Sequence, residues 1–256
     1  MAQLPQGKGG DSLRVYYDLH IHSCLSPCGD SDMTPNNILN MALLAGFDMI
    51  ALTDHNSCQN CPAIWEAARG SDLAVVPGME LCTAEEAHVV CLFPTLEAAL
   101  AFDASVRPTL PPVTNRPDIF GEQLILDAED NITGRMETLL TTASGISVDH
   151  VLPLARSFGG TAFPAHIDRP SYSIPAALGD IPPLGFCAME ITRQGDIPAL
   201  CGQYAELAGK PLLLDSDAHY LHQIGDPSAW LDLPEKSPEA LIAALDGRTP
   251  CEWGRE

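Results

Sequence analysis

Short apolar runs alternate with amphipathic segments along most of this chain, and the alternation predicts an α/β fold. The runs at residues 13–17 and 48–53 have the length and apolar content of β-strands. Thr34 and Pro35 suit the start of a helix that Gly46 would end. We predict further strands at residues 73–76, 88–93, 161–165, 186–191, 211–214 and 230–233, and helices at 35–45, 62–68, 148–158, 197–208 and 238–245.

The alternation is interrupted near residues 105–145. A Pro-rich stretch at residues 107–121 is followed by a predicted hairpin of residues 123–127 and 131–135. We therefore expect one domain over residues 13–256 with an insertion near 105–145, after a loose polar tail at residues 1–12. Long loops in such folds often carry function, so we expect the insertion to cover the mouth of the site.

The charge of the chain bears on its partners. It has 13 basic and 34 acidic residues, a formal charge of −21, whereas a nucleic-acid-binding domain usually presents a basic face. This balance argues against nucleic acid, and a small substrate is expected because the insertion would cover the mouth of the site. No apolar run approaches the ~20 residues that span a bilayer, and no signal peptide is evident. We expect a cytoplasmic protein with no membrane partner, in which cysteines are thiols or metal ligands.

The candidate chemistry lies at the ends of the predicted strands. His20 and His22 are two residues apart on the first strand, so both imidazoles point to one face. Six of the eight histidines, together with several acids, occupy such positions. Any one of them alone could be a hydrogen-bonded packing residue, but packing residues would show no preference for strand ends. In parallel α/β folds these ends meet on one face, where active sites are built.

A mixture of imidazole and carboxylate donors suits first-row ions such as Mn, Zn and Fe. The donors outnumber the ligands that one ion needs, so we predict several divalent ions that share bridging carboxylates.

The motifs that contain these donors resemble those of the PHP family, named for polymerase and histidinol phosphatase. They are Asp18–Ser23, Leu52–Asn56, Gly78–Glu80, His88–Val90, Ala165–His166 and Ser216–His219. The resemblance implies a distorted (β/α)₇ barrel, similar to a TIM barrel, with a metal site at the carboxyl ends of the strands. It also implies hydrolysis of phosphate esters, and the chain is most similar to stand-alone phosphoesterases.

The resemblance also implies a set of metal ligands for two or three ions. A ninth ligand, an acid, should follow the His-x-His motif, but residues 24–28 lengthen this loop. Asp30 is the expected residue, with Asp32 as the substitute. The implied set is His20, His22, Asp30, His55, Glu80, His88, His166, Asp217 and His219.

The expected reaction is hydrolysis of a small nucleotide or sugar phosphate by a hydroxide that bridges two metal ions. Asp217 and His219 would act at the reacting centre. Arg169 and Arg193 would bind the phosphate, because a guanidinium can donate two parallel hydrogen bonds to it; the alternative for each arginine is a surface salt bridge. Two other functions stay open: a 3′–5′ exonuclease acting on nucleic-acid ends, and a non-catalytic metal-binding regulatory module.

Four cysteines suggest an additional zinc site. Cys24 and Cys28 follow the first strand, and Cys58 and Cys61 follow the second. Both spacings lie within the range that structural zinc uses. Neighbouring strand ends would let the four sulfurs converge, although four unrelated thiols are the alternative.

Overall fold

The structure is a computed structural model that describes residues 12–256, so the predicted tail at residues 1–12 lies outside the described residues except for Ser12. Its strands are β1 (Leu13–Ile21), β2 (Met49–Leu52), β3 (Ala74–Cys82), β4 (His88–Leu92), β5 (Leu124–Leu126), β6 (Ile132–Arg135), β7 (Thr161–Pro164), β8 (Met189–Ile191), β9 (Leu212–Leu214), β10 (Ala229–Leu233) and β11 (Trp253–Arg255). Its α-helices are α1 (Pro35–Ala45), α2 (Cys61–Ala67), α3 (Leu96–Val106), α4 (Pro117–Phe120), α5 (Val148–Ser157), α6 (Ile174–Leu178), α7 (Ile197–Gln203) and α8 (Pro238–Leu245).

The main sheet has seven strands in the order β11-β10-β1-β2-β3-β4-β7, and β8 pairs with β9 in a separate parallel pair. An isolated bridge between Ile21 and Ala218 joins the end of β1 to the segment after β9. The predicted α/β class is confirmed, and the curved arrangement resembles a TIM-like barrel. The strands nevertheless belong to separate hydrogen-bonded sheets, whereas one closed ring was expected.

Only the pairings of β2 with β1 and with β3 are parallel within the main sheet. The β3–β4 pair is antiparallel because only residues 83–87 connect the two strands. A parallel connection needs a crossover of a dozen or more residues. The parallel pairing typical of a (β/α) barrel is therefore absent between β3 and β4.

Helix α1 begins and ends where its sequence predicts. The Thr34 side chain accepts a hydrogen bond from the Asn37 N–H, Pro35 occupies the first turn, and Gly46 adopts a left-handed conformation with φ 88°. Helix α8 likewise spans the predicted residues, with Ser237 as its cap. Helix α3 is absent from the prediction.

The insertion packs beside the loops that follow β1 and β2. The Asn56 side-chain amide donates hydrogen bonds to the carbonyl oxygens of Leu140 and Thr142, at 2.7 and 2.9 Å. The Leu124 N–H donates to the Cys24 carbonyl. These contacts place the insertion beside the carboxyl end of the sheet. No helix in the described part of the chain is long and apolar enough to cross a membrane.

Gly78 on β3 provides a test of how tightly the sheet packs below the site. A Cβ atom at this position would lie 2.7 Å from the Cys91 carbonyl oxygen and 2.8 Å from a Leu92 methyl carbon. We expect Gly78→Ala to lower the free energy of unfolding by about 1–3 kcal/mol, the usual effect of overpacking, measured by urea denaturation.

Gly134→Ala is the matched control, because its Cβ would meet Ile125 at 3.6 Å, an ordinary contact. It should change the unfolding free energy by less than about 0.5 kcal/mol. Equal stability of the two variants would contradict the tight packing at Gly78.

Candidate metal centre

Six strands, or the segments that follow them, bring the candidate donors together. His20 lies near the end of β1 and His22 just beyond it, His55 follows β2, and Glu80 lies on β3. The remaining donors come from the start of β4 and from the segments after β7 and β9: His88, His166, Asp217 and His219. The structure therefore brings together eight of the nine predicted ligands.

Glu80 is the centre of this cluster. Its carboxylate is 1% exposed, and nitrogen atoms of five imidazoles lie near it. The distances to its oxygen atoms are 2.8 Å from His55 Nδ1, 2.8 Å from His88 Nδ1, 3.2 Å from His166 Nε2, 3.3 Å from His20 Nε2 and 3.4 Å from His22 Nε2.

Asp217 is the second carboxylate of the cluster. Its Oδ1 atom lies 3.1 Å from His22 Nε2, 3.4 Å from His20 Nε2 and 3.6 Å from His219 Nδ1. Its Oδ2 atom lies 2.6 Å from an Arg169 guanidinium nitrogen. Asp217 therefore lies beside the same two imidazoles, those of His20 and His22, as Glu80 does.

Three groups of donor atoms have mutual separations within 4.8 Å, which suits binding of a metal ion. Neighbouring groups share His22 or His55, so the cluster is continuous. The groups are His22, His55 and His219; His20, His22 and Asp217; and His55, Glu80 and His88.

Buried polar residues outside the predicted set orient two of these imidazoles. The Glu190 carboxylate lies 2.8 Å from His20 Nδ1, and the Ser26 hydroxyl oxygen lies 2.8 Å from His22 Nδ1. In both histidines Nε2 is left to face the cluster. Partners of this kind select the tautomer and orientation of metal-binding histidines. Glu190 and Ser26 lack the motif signal that identified the other residues.

Asp54 holds the lengthened loop after β1. Its buried carboxylate accepts hydrogen bonds from the backbone N–H and the hydroxyl of Ser23, at 2.7 and 2.6 Å, and from the Ser26 hydroxyl at 2.7 Å. Asp54 follows β2, so this network connects the two loops that carry His22 and His55.

Backbone strain is concentrated around the cluster. His166 and Asp217 have positive φ angles of 29° and 49°, and Asn56, next to His55, has φ 48°. Residues other than glycine rarely adopt this region. Such conformations cost about 1–3 kcal/mol each and are often found at functional sites.

The buried charges shift one another's pKa values. Burial alone would raise the pKa of Glu80, but the imidazoles of His88, His20 and His55 hold it well below its usual range. The pKa of Asp217 is also lowered against the effect of burial, chiefly by His20 and His22. Burial, together with His219 and His55, lowers the pKa of His22. The cluster thus favours anionic carboxylates beside a neutral His22.

Asp30 and Asp32 lie outside the cluster, contrary to the prediction of a ninth ligand. The Asp30 carboxylate accepts a hydrogen bond from the Asp32 N–H, and Asp32 is exposed. Cys28 lines the cavity over the cluster instead, together with His55 and His219. Burial would raise the pKa of its thiol, but the imidazoles of His219 and His55 lower that pKa to about 6.

The four cysteines occupy three different environments, which contradicts the predicted zinc site. Cys58 and Cys61 donate to the Gly78 carbonyl oxygen, at 3.1 and 3.5 Å. Cys24 is buried, and burial followed by the nearby Asp54 raises its pKa to about 12. With Cys28 at the histidine cluster, the sulfurs do not converge. The prediction failed because the position of a cysteine in a loop after a strand does not determine where its side chain points.

The two arginines predicted to bind phosphate have different environments. Arg169 lines the cavity beside the cluster and is half exposed. Arg193 does not line that cavity, and its guanidinium lies 3.4 Å from the buried Asp18 carboxylate. Both arginines therefore form salt bridges, Arg169 with Asp217 and Arg193 with Asp18, and only Arg169 also lines the cavity.

The cavity over the cluster has a volume of about 250 Å³. Tyr172 forms part of its wall: its ring stacks on the His88 ring at 4.8 Å between centroids, and half of the residue is exposed. Ser171 and Thr141 line the same cavity, and Thr141 comes from the insertion. No motif marked these three residues, because their position depends on loop geometry.

Comparison with known proteins identifies the family. Residues 18–143 match the family described as the PHP domain. The chain contains a PHP domain. The resemblance inferred from the motifs is thus confirmed, and the match ends before His166 and Asp217, whose place in the cluster is given by the geometry above.

Several known proteins are similar to this PHP-domain chain. The 5′-3′ exoribonuclease Rnm of Salmonella typhimurium is 29% identical over 181 residues, which cover 69% of this chain and 59% of Rnm. The lesion-specific endonuclease PfuEndoQ of Pyrococcus furiosus has a TM-score of 0.67 at 18% identity, over 94% of this chain and 58% of that one. An amidohydrolase of Chromobacterium violaceum, with bound sulfate, has a TM-score of 0.54 at 17% identity, over 94% and 98% of the two chains.

The chain therefore spans less than two thirds of the length of Rnm and of PfuEndoQ. The predicted class, a metal-dependent hydrolase, is confirmed at the level of the family.

The prediction of a small phosphorylated substrate, with nucleic acid as an unlikely partner, is contradicted by these relatives. Rnm is an exoribonuclease, and an endonuclease Q has been crystallised with a 27-mer duplex substrate. The error lies in the use of net charge. A formal charge of −21 describes the long-range field of the protein, whereas the charge near a bound ligand depends on the side chains that line the cavity, which include Arg169.

Proposed function

We propose that this PHP-domain chain is a metal-dependent nuclease that removes nucleotides from the 5′ end of single-stranded RNA. The observation that carries the proposal is the buried Glu80 carboxylate with five imidazoles around it. A buried carboxylate that faces so many nitrogen donors is typical of a metal ligand.

The geometry of the donor atoms suits metal binding better than hydrogen bonding among the side chains themselves. His55 Nδ1 and Glu80 Oε2 are 2.8 Å apart, yet both are buried atoms without a hydrogen bond of acceptable geometry. Asp217 Oδ1 is likewise a buried atom without a hydrogen bond. Buried polar atoms are nearly always paired, so a cation among these atoms accounts for their arrangement.

Eight side chains would hold two or three divalent ions, with Mn, Zn and Fe as the candidates. When bound, such ions would neutralise phosphoryl oxygens and lower the pKa of a water molecule. The eight are His20, His22, His55, Glu80, His88, His166, Asp217 and His219.

Arg169 would orient the scissile phosphate. Its guanidinium is half exposed at the cavity and is held by Asp217 Oδ2 at 2.6 Å. Its remaining N–H groups can donate to a phosphate oxygen. Glu190 and Ser26 would keep the imidazoles of His20 and His22 in the orientation that ligation requires.

The cavity favours the end of a single strand. Its volume of about 250 Å³ lies at or below the lower end of the usual range for small-molecule sites, ~300–1,000 Å³. A duplex is too wide to enter such a space, whereas a terminal nucleotide can approach it. Contacts limited to one or two phosphates are also compatible with an acidic protein, because an extended basic groove is then unnecessary.

Tyr172 would stack on the terminal base. One face of its ring lies against His88, and the half-exposed residue leaves the other accessible. Base–aromatic stacking tolerates any base sequence. The similarity to the exoribonuclease Rnm supports RNA as the strand and the 5′ end as the starting point.

The proposal is tested with a short single-stranded RNA labelled at either end, the matching DNA, and a duplex that contains an abasic site. With Mn²⁺ we expect stepwise release of mononucleotides from the 5′ end of the RNA, and no release after chelation. Hydrolysis of bis-p-nitrophenyl phosphate with all nucleic acids intact would contradict the proposed substrate. A single cut at the abasic site would instead indicate a lesion-specific endonuclease.

Tyr172→Ala tests the stacking. Loss of one base–aromatic contact is worth about 1–3 kcal/mol, so KM for the RNA should rise roughly 5- to 150-fold, measured by steady-state kinetics. Hydrolysis of bis-p-nitrophenyl phosphate, which has no base, should be unchanged. Tyr172→Phe keeps the ring and serves as the matched control. An equal effect of Tyr172→Ala on both substrates would argue for a structural role.

A further inference from the structure

We propose that the hydroxyl groups of Thr141 and Ser171 bind the ribose of the terminal nucleotide and so select RNA over DNA. Both residues line the cavity over the cluster, Thr141 from the insertion and Ser171 from the segment after β7. The inference rests on the proposed function and names the residues that would determine its choice of sugar.

A buried amide holds the backbone on both sides of Thr141. The Asn56 side chain donates to the carbonyl oxygens of Leu140 and Thr142, at 2.7 and 2.9 Å. Its own oxygen accepts a hydrogen bond from the Cys82 N–H at 2.9 Å, at the end of β3. Thr141 is therefore fixed relative to the strand ends that carry the cluster, although it belongs to the insertion.

Ser171 lies between Arg169 and Tyr172 in the chain, and all three residues line the cavity. The Ser173 hydroxyl donates to the Arg169 carbonyl oxygen at 2.7 Å. The His88 N–H donates to the Tyr172 carbonyl oxygen at 2.8 Å. These bonds hold the segment around Ser171 against the rim of the cluster.

Both hydroxyls are available to a ligand. The hydroxyls of the neighbouring residues Thr142 and Ser173 donate to backbone carbonyl oxygens of their own segments. Within residues 12–256, by contrast, no protein group is hydrogen-bonded to the hydroxyl of Thr141 or of Ser171. In a cavity of about 250 Å³, a bound sugar would lie close to the residues that line it.

The chemistry of a nucleotide identifies the group that these hydroxyls would meet. The sugar joins the base to the phosphate, so a base on Tyr172 and a phosphate at Arg169 would leave the ribose between them. Ser and Thr hydroxyls both donate and accept hydrogen bonds, as the ribose 2′-hydroxyl does. A 2′-deoxy sugar would leave the two protein hydroxyls without these bonds, which costs affinity.

The test changes one atom of the substrate and one hydroxyl of the protein. We compare kcat/KM for a single-stranded RNA with that for the same RNA whose 5′-terminal nucleotide alone is 2′-deoxy, with Mn²⁺ present. The unaltered protein should favour the ribose by roughly 2- to 10-fold for each hydrogen bond. Thr141→Val and Ser171→Ala should each reduce this preference, and the double variant should abolish it.

Two further variants separate recognition from structure. Thr141→Ser keeps the hydroxyl and should keep the preference. Thr138→Val changes another partly buried threonine of the insertion, one that does not line the cavity, and should also leave the preference unchanged. Should Thr141→Val fold poorly by circular dichroism, Ser171→Ala and the 2′-deoxy substrate still decide.

The outcomes distinguish this inference from the proposed function. Equal rates of the unaltered protein on both RNAs, or an equal loss on both in the Val and Ala variants, would overturn ribose recognition and leave the 5′ exonuclease in place. RNA that stays intact would overturn the proposed function. Calorimetric binding of AMP and 2′-deoxy-AMP then decides: tighter binding of AMP that is lost in the double variant supports the inference, and equal or absent binding overturns it.

Discussion

The Glu80 carboxylate lies buried at the end of the sheet, and five imidazoles from four strand ends point towards it. A buried charge is stable only when it is paired or bound to metal. The strand ends can therefore meet closely only if enough positive charge accompanies Glu80 and Asp217. Glu190, Asp54 and Ser26 serve this arrangement because they hold the histidines and the loop that surround the two acids.

The positive φ angles near the cluster help to bring the donors from different strands together. Asn56, His166, Tyr172 and Asp217 all depart from the usual backbone region and all lie in or beside the cluster. A strand that ends in a regular conformation would direct its next side chain along the sheet. The strained residues turn the chain sharply, so that donors from separate strands face one another. The stability that this strain requires comes from the densely packed core beneath, where Leu19, Ile21, Leu52 and Val90 are fully buried.

The sequence was most informative where a physical rule relates the position of a residue in the chain to the direction of its side chain. Two-residue periodicity placed His20 and His22 on one face, and the meeting of strand ends placed His55, Glu80 and Asp217 together. Prediction failed where direction depends on loop geometry. The loop after β1 places Cys28 at the cavity, whereas the Asp30 carboxylate bonds to the Asp32 N–H, and Arg193 turns back towards Asp18. Helix α3 was also missed, although its Thr95 cap resembles the Thr34 cap of α1. The antiparallel β3–β4 pair was missed because the prediction ended the third strand at residue 76, whereas β3 continues to Cys82.

The central claim is that Glu80 and its neighbours bind divalent metal, and elemental analysis tests it most directly. Purified protein is equilibrated separately with Mn²⁺, Zn²⁺ or Fe²⁺ and freed of unbound metal, beside Glu80→Gln, which has nearly the same shape without the charge. Two or three ions per chain in the unaltered protein, and fewer in Glu80→Gln, are the predicted result. No bound metal under any of these conditions, or the same content in both proteins, would contradict the account.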